Sequence, residues 1–232
     1  MAAEPQWKTK TDPESRRPVF VTALVIIAGQ AWVARSLQFD PFWLLPLVST
    51  VLLAASIAVY ERSDTPVKAA RVLSYTFDAV LVFADAACLV LLVRGVFLGS
   101  HLRPTELLFA GLALWVVNLA VFALLYWELD GGGPEARADG YRNRCPDLVF
   151  PQLQADQQGL TADAWKPSFY DYAYVSLTSS IAFSPTDAMP YSKWAKLVMG
   201  VQSILSFATL AVGALPEFVI GILLVLVFGV WR

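Results

Sequence analysis

Six apolar runs, separated by polar connections, dominate the hydrophobic pattern of this chain. They cover residues 18–34, 41–60, 72–98, 105–127, 194–214 and 216–231. A helix needs ~20 mostly apolar residues to cross the ~30 Å hydrocarbon layer of a bilayer. The last run is short and begins with Pro216, so it is either a separate span or a bent continuation of the fifth. The pattern predicts an all-α integral membrane protein with five or six transmembrane helices.

The polar positions divide the chain into regions. A polar N-terminus covers 1–17, and a three-helix membrane region covers 18–104. The next region, 105–214, contains in order an outer helix at 105–127, a polar linker at 128–167, a Ser/Thr-rich stretch at 168–192 and an inner helix at 194–214. A C-terminal apolar segment follows at 216–232. The linker begins with three glycines and a proline, which end the fourth helix. It is either a loose loop or an ordered cap.

The stretch 168–192 is too polar for an ordinary span and too apolar for an ordinary loop. Ser168 is a favourable N-cap, and Asp171 follows at the position that closes a capping box. A helix from Phe169 to Ala182 would be ~21 Å long, which is too short to cross the bilayer. Two prolines follow, Pro185 and Pro190, and they prevent the helix from continuing. These features predict a re-entrant helix and loop, although an ordinary span with a polar end remains the alternative.

The composition supports a membrane protein and argues against other classes. The 232 residues are 57% hydrophobic and 16% charged, with a mean hydropathy of +0.56, whereas soluble domains carry about 25% charged residues. A net charge of −2 indicates no nucleic-acid partner. The sequence contains no common catalytic motif, and His101 has no second metal ligand at a useful spacing. We therefore expect neither an enzyme nor a cofactor, apart from permeant monovalent or divalent cations.

The basic residues predict the orientation in the membrane. Seven Lys or Arg residues lie in the N-terminus and the 61–71 connection, whereas only Arg35, Arg94 and Arg103 lie at the opposite helix ends. The positive-inside rule places the N-terminus in the cytoplasm. Four spans later, the 128–167 linker would be cytoplasmic too, unless one run does not span or the N-terminus is outside. The expected location is a plasma membrane, the inner membrane of a bacterium.

The Ser/Thr-rich stretch carries a resemblance to a known family. The run "SLTSS" at 176–180 precedes "DAMPYSKWAK", in which four residues stand at characteristic intervals: Asp187, Pro190, Ser192 and Lys196. This order resembles the pore module of tetrameric potassium-type (pore-loop) cation channels. There, a Ser/Thr-rich pore helix and filter precede the pattern D-x-x-P-x-[ST]-x-x-x-[RK] and an inner helix. The match covers roughly 105–214, and its specific part is 176–196.

The resemblance implies a homo-tetramer in the lipid bilayer with a cation pathway on its axis. It implies a filter formed by Thr178, Ser179, Ser184, Thr186 and Asp187, and an inner helix lined by Gln202, Ser203 and Ser206. The chain departs from the family where "SPT" replaces Gly-Tyr-Gly, because glycine backbone freedom aims the filter carbonyls inward. Potassium selectivity is therefore not implied, and we expect Asp187 to supply a carboxylate ring. The elements "YWELD", "FPQ" and "AFSPTD" also resemble bacterial multi-pass membrane proteins, from which no activity follows.

Two acidic residues lie inside the third apolar run. Asp78 and Asp85 are seven positions apart, which places them on one helix face. A carboxylate in hydrocarbon costs at least ~2.5 kcal/mol, so both side chains should face protein or water. They predict either an ion or proton pathway or interhelical hydrogen bonds, for example with Asn118 or Gln30. The alternatives to a channel are therefore a small ion- or proton-coupled transporter and a non-conducting membrane scaffold.

Overall fold

A computed structural model describes residue 10 and residues 14–61, 67–98, 102–143, 145–153, 165–181 and 188–229. It is 82% helical. The helices are α1 Arg17–Ser36, α2 Leu44–Glu61, α3 Val67–Phe97, α4 Pro104–Leu129, α5 Pro134–Ala138, α6 Phe169–Ser180 and α7 Lys193–Gly229. Two short strands, β1 Leu148–Val149 and β2 Met189–Pro190, complete these elements with 3-10 turns at Asp130–Gly132 and Gly140–Asn143.

Four helices in the described part of the chain are long and apolar enough to cross a membrane. These spans are Arg17–Ser36, Arg71–Phe97, Pro104–Gly132 and Lys193–Leu224, whereas Leu44–Val59 is a shorter apolar helix. The helices support the expectation of an integral membrane protein. The last two apolar runs form one continuous helix, since α7 has 37 residues with Pro216 in its interior.

The chain divides into two compact units. The first comprises Met1–Ala23 and Leu119–Ser203, and the second comprises Leu24–Asn118 and Ile204–Arg232. Helices α5 and α6 and both strands lie in the first unit, and α2 and α3 lie in the second. Helices α1, α4 and α7 contribute residues to both.

In the first unit, glycines end α4 and turn the chain into the linker. Gly131, Gly132 and Gly133 have φ angles of 61°, 90° and 94°, a region that residues with a Cβ atom rarely adopt. A Cβ atom on Gly131 would also collide with the Tyr141 ring. Strand β1 then pairs antiparallel with β2, with Leu148 opposite Pro190. The linker is therefore ordered where it is described.

In the second unit, an apolar core joins α1, α3 and α4. It consists of Val33, Cys88, Leu92, Leu107, Ala110 and Leu114. Two glycines bring α4 and α7 into backbone contact, because a Cβ atom on Gly111 would lie 2.9 Å from the Gly213 Cα atom. Small residues permit such close helix approach within membranes.

Candidate functional site

Helix α6 begins at the capping box that the sequence predicts. The Asp171 carboxylate accepts hydrogen bonds of 2.7 Å from both the backbone N–H and the hydroxyl of Ser168. The helix contains 12 residues, so it is ~18 Å long at 1.5 Å per residue. It is two residues shorter than predicted, since Ile181 is its C-cap.

The first half of α6 is attached to the end of α4 through a buried tyrosine. The Tyr172 hydroxyl donates a 2.6 Å hydrogen bond to Oδ2 of Asp130. The Phe150 ring packs edge-on against Tyr172, with 5.6 Å between ring centroids. Both Tyr172 and Asp130 are fully buried. The N-terminal end of α6 is thereby fixed beside the C-terminal end of α4.

The second half of α6 contacts α4 and α7 through its small polar residues. The Ser176 hydroxyl donates to the Leu119 carbonyl oxygen at 2.7 Å. The Gln202 amide donates to the carbonyl oxygen and the hydroxyl of Ser176 at 2.9 and 2.7 Å, and Gln202 Oε1 accepts from the Tyr126 hydroxyl. The Ser203 hydroxyl donates to the Ser179 carbonyl oxygen at 3.0 Å. Buried polar groups satisfied in this way fix helix positions in membranes.

The predicted filter residues fall into two groups. Ser184, Thr186 and Asp187 lie outside the residues that the structure describes. The Thr178 hydroxyl is bonded within its own helix, to the carbonyl oxygens of Tyr174 and Val175, and the Ser179 side chain is buried.

The predicted inner-helix residues lie against the helices of their own chain. Gln202 and Ser206 are fully buried, and Ser203 is half-buried. The exposed face of α7 is apolar instead, with 69% exposure at Leu197, 70% at Ile204 and 72% at Phe207. Gln202, Ser206 and Thr209 are all buried and stand three or four positions apart, so the polar residues of α7 form one stripe.

The next described residues after α6 contact the linker that precedes it. Met189 and Pro190 pair with β1, and the Tyr191 N–H donates to the Asp147 carbonyl oxygen at 2.8 Å. The Trp194 indole donates to Oδ1 of Asp147, also at 2.8 Å. The other Asp147 carboxylate oxygen accepts from the Gly131 N–H at 3.0 Å. Asp147 thus joins the end of α4 to the start of α7.

Asp130 is the centre of this corner, and the sequence alone did not single it out. Its Oδ1 atom accepts from the N–H groups of Asp147 and Leu148 at 2.8 and 2.9 Å. Its main-chain oxygen accepts from Arg137 Nη1 at 2.9 Å, and the same nitrogen donates to the Trp127 carbonyl oxygen at 2.7 Å. We call Trp127, Asp130, Arg137, Asp147 and Tyr172 the linker cluster.

The protonation states of Arg137 and Tyr172 in the linker cluster are set by burial and by the charges beside them. Burial by itself would lower the pKa of the Arg137 guanidinium, but Tyr172, Asp130 and Glu14 raise that pKa above its ordinary value. Burial raises the pKa of Tyr172 well above its usual range, although Arg137 opposes the shift. Arginine therefore stays charged and tyrosine neutral, which is the combination that the hydrogen bonds to Asp130 require.

The N-terminal segment also contacts the linker cluster. The Trp127 indole donates to Glu14, whose carboxylate lies 3.7 Å from Arg137 Nη2. Arg16 forms a 2.8 Å ion pair with Glu135. Ionic contacts thus hold the described part of the linker to the N-terminal segment.

A second polar group lies in the second unit. Oδ2 of Asp85 on α3 accepts a 2.7 Å hydrogen bond from the Asn118 side-chain amide on α4. The Asn118 carbonyl oxygen accepts a 2.7 Å bond from the Ser206 hydroxyl on α7. Gln30 on α1 donates to the Leu81 carbonyl oxygen at 3.0 Å, one turn before Asp85. One of the predicted interhelical hydrogen bonds, from Asn118 to Asp85, is therefore present.

Asp78 is buried at 7% exposure and Asp85 at 3%. Among the residues that can be described, no three His, Cys, Asp or Glu side chains are arranged to hold a metal ion.

No protein-family model, curated protein or solved structure matches this chain.

Proposed function

We propose that this protein is a subunit of a pore-loop cation channel, in which segment 169–190 enters the membrane and returns to the side it came from. The observation that carries the proposal is that both ends of this segment are bonded to the same corner. Tyr172 bonds to Asp130 near its start, and Tyr191, just after it, bonds to Asp147. A helix that crossed the bilayer would place its two ends on opposite sides.

The depth that α6 reaches supports a re-entrant arrangement. Its Ser176 hydroxyl bonds to the carbonyl of Leu119, which lies near the middle of α4 and about three turns before Asp130. Three turns correspond to roughly 16 Å along a helix, about half of the ~30 Å hydrocarbon thickness. Irregular backbone at this depth persists only where protein buries it or water reaches it.

The end of α6 has the electrostatics of a cation site. The last carbonyl groups of a helix carry about half a negative charge, which favours cations beside them. The next residues include Ser184, Thr186 and Asp187, and their hydroxyl and carboxylate oxygens are the groups that replace the hydration shell of an ion. In a homo-tetramer these groups would form rings on the symmetry axis.

In this proposal the polar residues of α7 position α6 rather than line the pathway. Gln202 and Ser203 hold the backbone of α6 by hydrogen bonds. The exposed residues Leu197, Ile204 and Phe207 are then available to contact lipid, neighbouring subunits or the inner mouth.

The experiment is ion flux through the purified protein in liposomes, with the oligomeric state measured by native mass spectrometry. We expect the unsubstituted protein to form tetramers that conduct cations. In Asp187→Asn, the preference for cations over anions should fall at least tenfold. Asp40→Asn is the matched control, since Asp40 is exposed and distant in sequence from the loop. Tetramers without flux, monomers without flux, or equal effects of the two substitutions would contradict the proposal.

A further inference from the structure

The buried carboxyl group of Asp85 has no basic partner in the helices around it. Between their flanking charged residues, α1 (18–34), α4 (107–127) and α7 (197–216) contain no Lys, Arg, His, Asp or Glu. Helix α2, which packs on α3, has none at 45–60. On α3 itself, the titratable groups nearest in sequence are Asp78, two turns before Asp85, and Cys88, one turn after it.

The hydrogen bonds of Asp85 satisfy only one of its oxygens. Oδ2 accepts from Asn118, whereas no described residue donates to Oδ1, and Oε1 of the neighbouring Gln30 is likewise without a donor. Gln30 is 1% exposed. An ionised carboxylate at this depth would bury a charge with one donor and no counter-charge, which is costly. A proton on the carboxyl group removes that charge.

We propose that Asp85, together with Asn118 and Ser206, forms a reversible proton-binding site inside the membrane, and that its protonation reverses the direction of their hydrogen-bond chain. In the present arrangement Ser206 donates to Asn118, and Asn118 donates to the carboxylate. When a proton from water adds to Oδ2, that oxygen becomes a donor to the Asn118 carbonyl.

The reversal needs only rotations of groups already in contact. The Asn118 amide turns over, so that its nitrogen donates to the Ser206 oxygen. The hydroxyl of Ser206 then turns to a backbone carbonyl one turn earlier in its own helix, a common acceptor for serine in helices. Asp85, Asn118 and Ser206 are joined by a donor–acceptor pair at each step of this hydrogen-bond chain in both states, so protonation at α3 is transmitted to α7.

The test is an infrared titration of the protein in lipid bilayers from about pH 4 to about pH 10. At low pH we expect the carbonyl band of a protonated carboxyl group, and this band should vanish as the pH rises. The band should be absent in Asp85→Asn, moved in frequency in Asp85→Glu and retained in Asp78→Asn. Among the described residues only Asn118 donates to the carboxylate, so in Asn118→Leu the midpoint should move to higher pH by at least about one unit.

The Asp85→Glu and Asn118→Leu variants keep the proposal testable if Asp85→Asn does not fold. Absence of an Asp85-dependent band at every pH, or a band of constant intensity across the range, would overturn it. An unchanged titration midpoint in Asn118→Leu would refute the role of the hydrogen-bond chain. None of these outcomes depends on ion flux, so the site is tested separately from the proposed channel.

Discussion

The two units each bury a carboxyl group, but they surround it differently. In the first unit, Asp130 accepts hydrogen bonds at both carboxylate oxygens, and the Arg137 guanidinium donates to its main-chain oxygen. In the second unit, Asp85 accepts one hydrogen bond, and no described residue donates to its other oxygen. A fully bonded buried charge with a counter-charge holds a structure together. A buried acid with open bonding capacity is suited to binding a proton or an ion.

The matched substitution of both aspartates gives the largest expected difference. Asp130→Asn replaces an acceptor of two N–H groups and removes one of the two carboxylates whose charges act on the buried Arg137 guanidinium, so we expect a loss of about 3–5 kcal/mol of stability. Asp85→Asn removes an uncompensated acid and should change stability by no more than about 1 kcal/mol. Unfolding in detergent, followed by tryptophan fluorescence, measures both. Equal destabilisation by the two substitutions would remove the distinction between the sites.

The next-largest change in stability is expected where α4 and α7 are in close contact in the second unit. Gly111→Val places a side chain against the Gly213 backbone, and the forced separation should cost about 1–3 kcal/mol. Gly200→Ala is the control, because a Cβ atom there meets nothing within 4 Å and alanine favours a helix by up to about 1 kcal/mol. A stable Gly111→Val variant would show that the helices do not rely on this contact.

Breaking the hydrogen bonds between α6 and α7 in the first unit should reduce stability by a similar amount. Gln202→Leu removes the acceptor of the Tyr126 hydroxyl and the amide that donates to Ser176, so stability should fall by about 1–3 kcal/mol. Ser203→Ala removes a single hydrogen bond to α6 and should cost about 1 kcal/mol. Thermal unfolding compares the two variants. A larger effect from Ser203→Ala would reassign the main attachment point.

The smallest effect is a pH dependence confined to the linker cluster. The pKa of Tyr172 is raised by burial, so its stabilising contribution is complete below the ordinary tyrosine value of about 10 and is lost as the pH rises beyond it. Tyr172→Phe should therefore flatten the decline of the unfolding temperature above about pH 10. The exposed Tyr170 provides the control, and an equal flattening by Tyr170→Phe would contradict the assignment.

The sequence predicted those features that depend on local pattern. The long apolar helices follow from run length, and the start of α6 follows from Ser168 and Asp171, which bond within one turn. The linker cluster was not predicted, because Asp130 and Tyr172 are 42 residues apart and only the fold brings them together. Gln202 and Ser206 are four positions apart, which indicates one polar face on α7, but the pattern does not tell whether that face contacts helices of its own chain or a water-filled pathway. The pairing of Asp85 with Asn118 was predicted because few polar partners exist at membrane depth.

The return of the chain after α6 is the central claim, and cysteine accessibility tests it most directly. Tyr170 and Tyr191 are each 72% exposed and lie near the two ends of the segment. Tyr170→Cys and Tyr191→Cys, each in a Cys145→Ser background, would be exposed to a membrane-impermeant maleimide in vesicles of each orientation. A re-entrant segment would have both cysteines labelled from the same side of the membrane. Labelling from opposite sides would show that α6 crosses the bilayer.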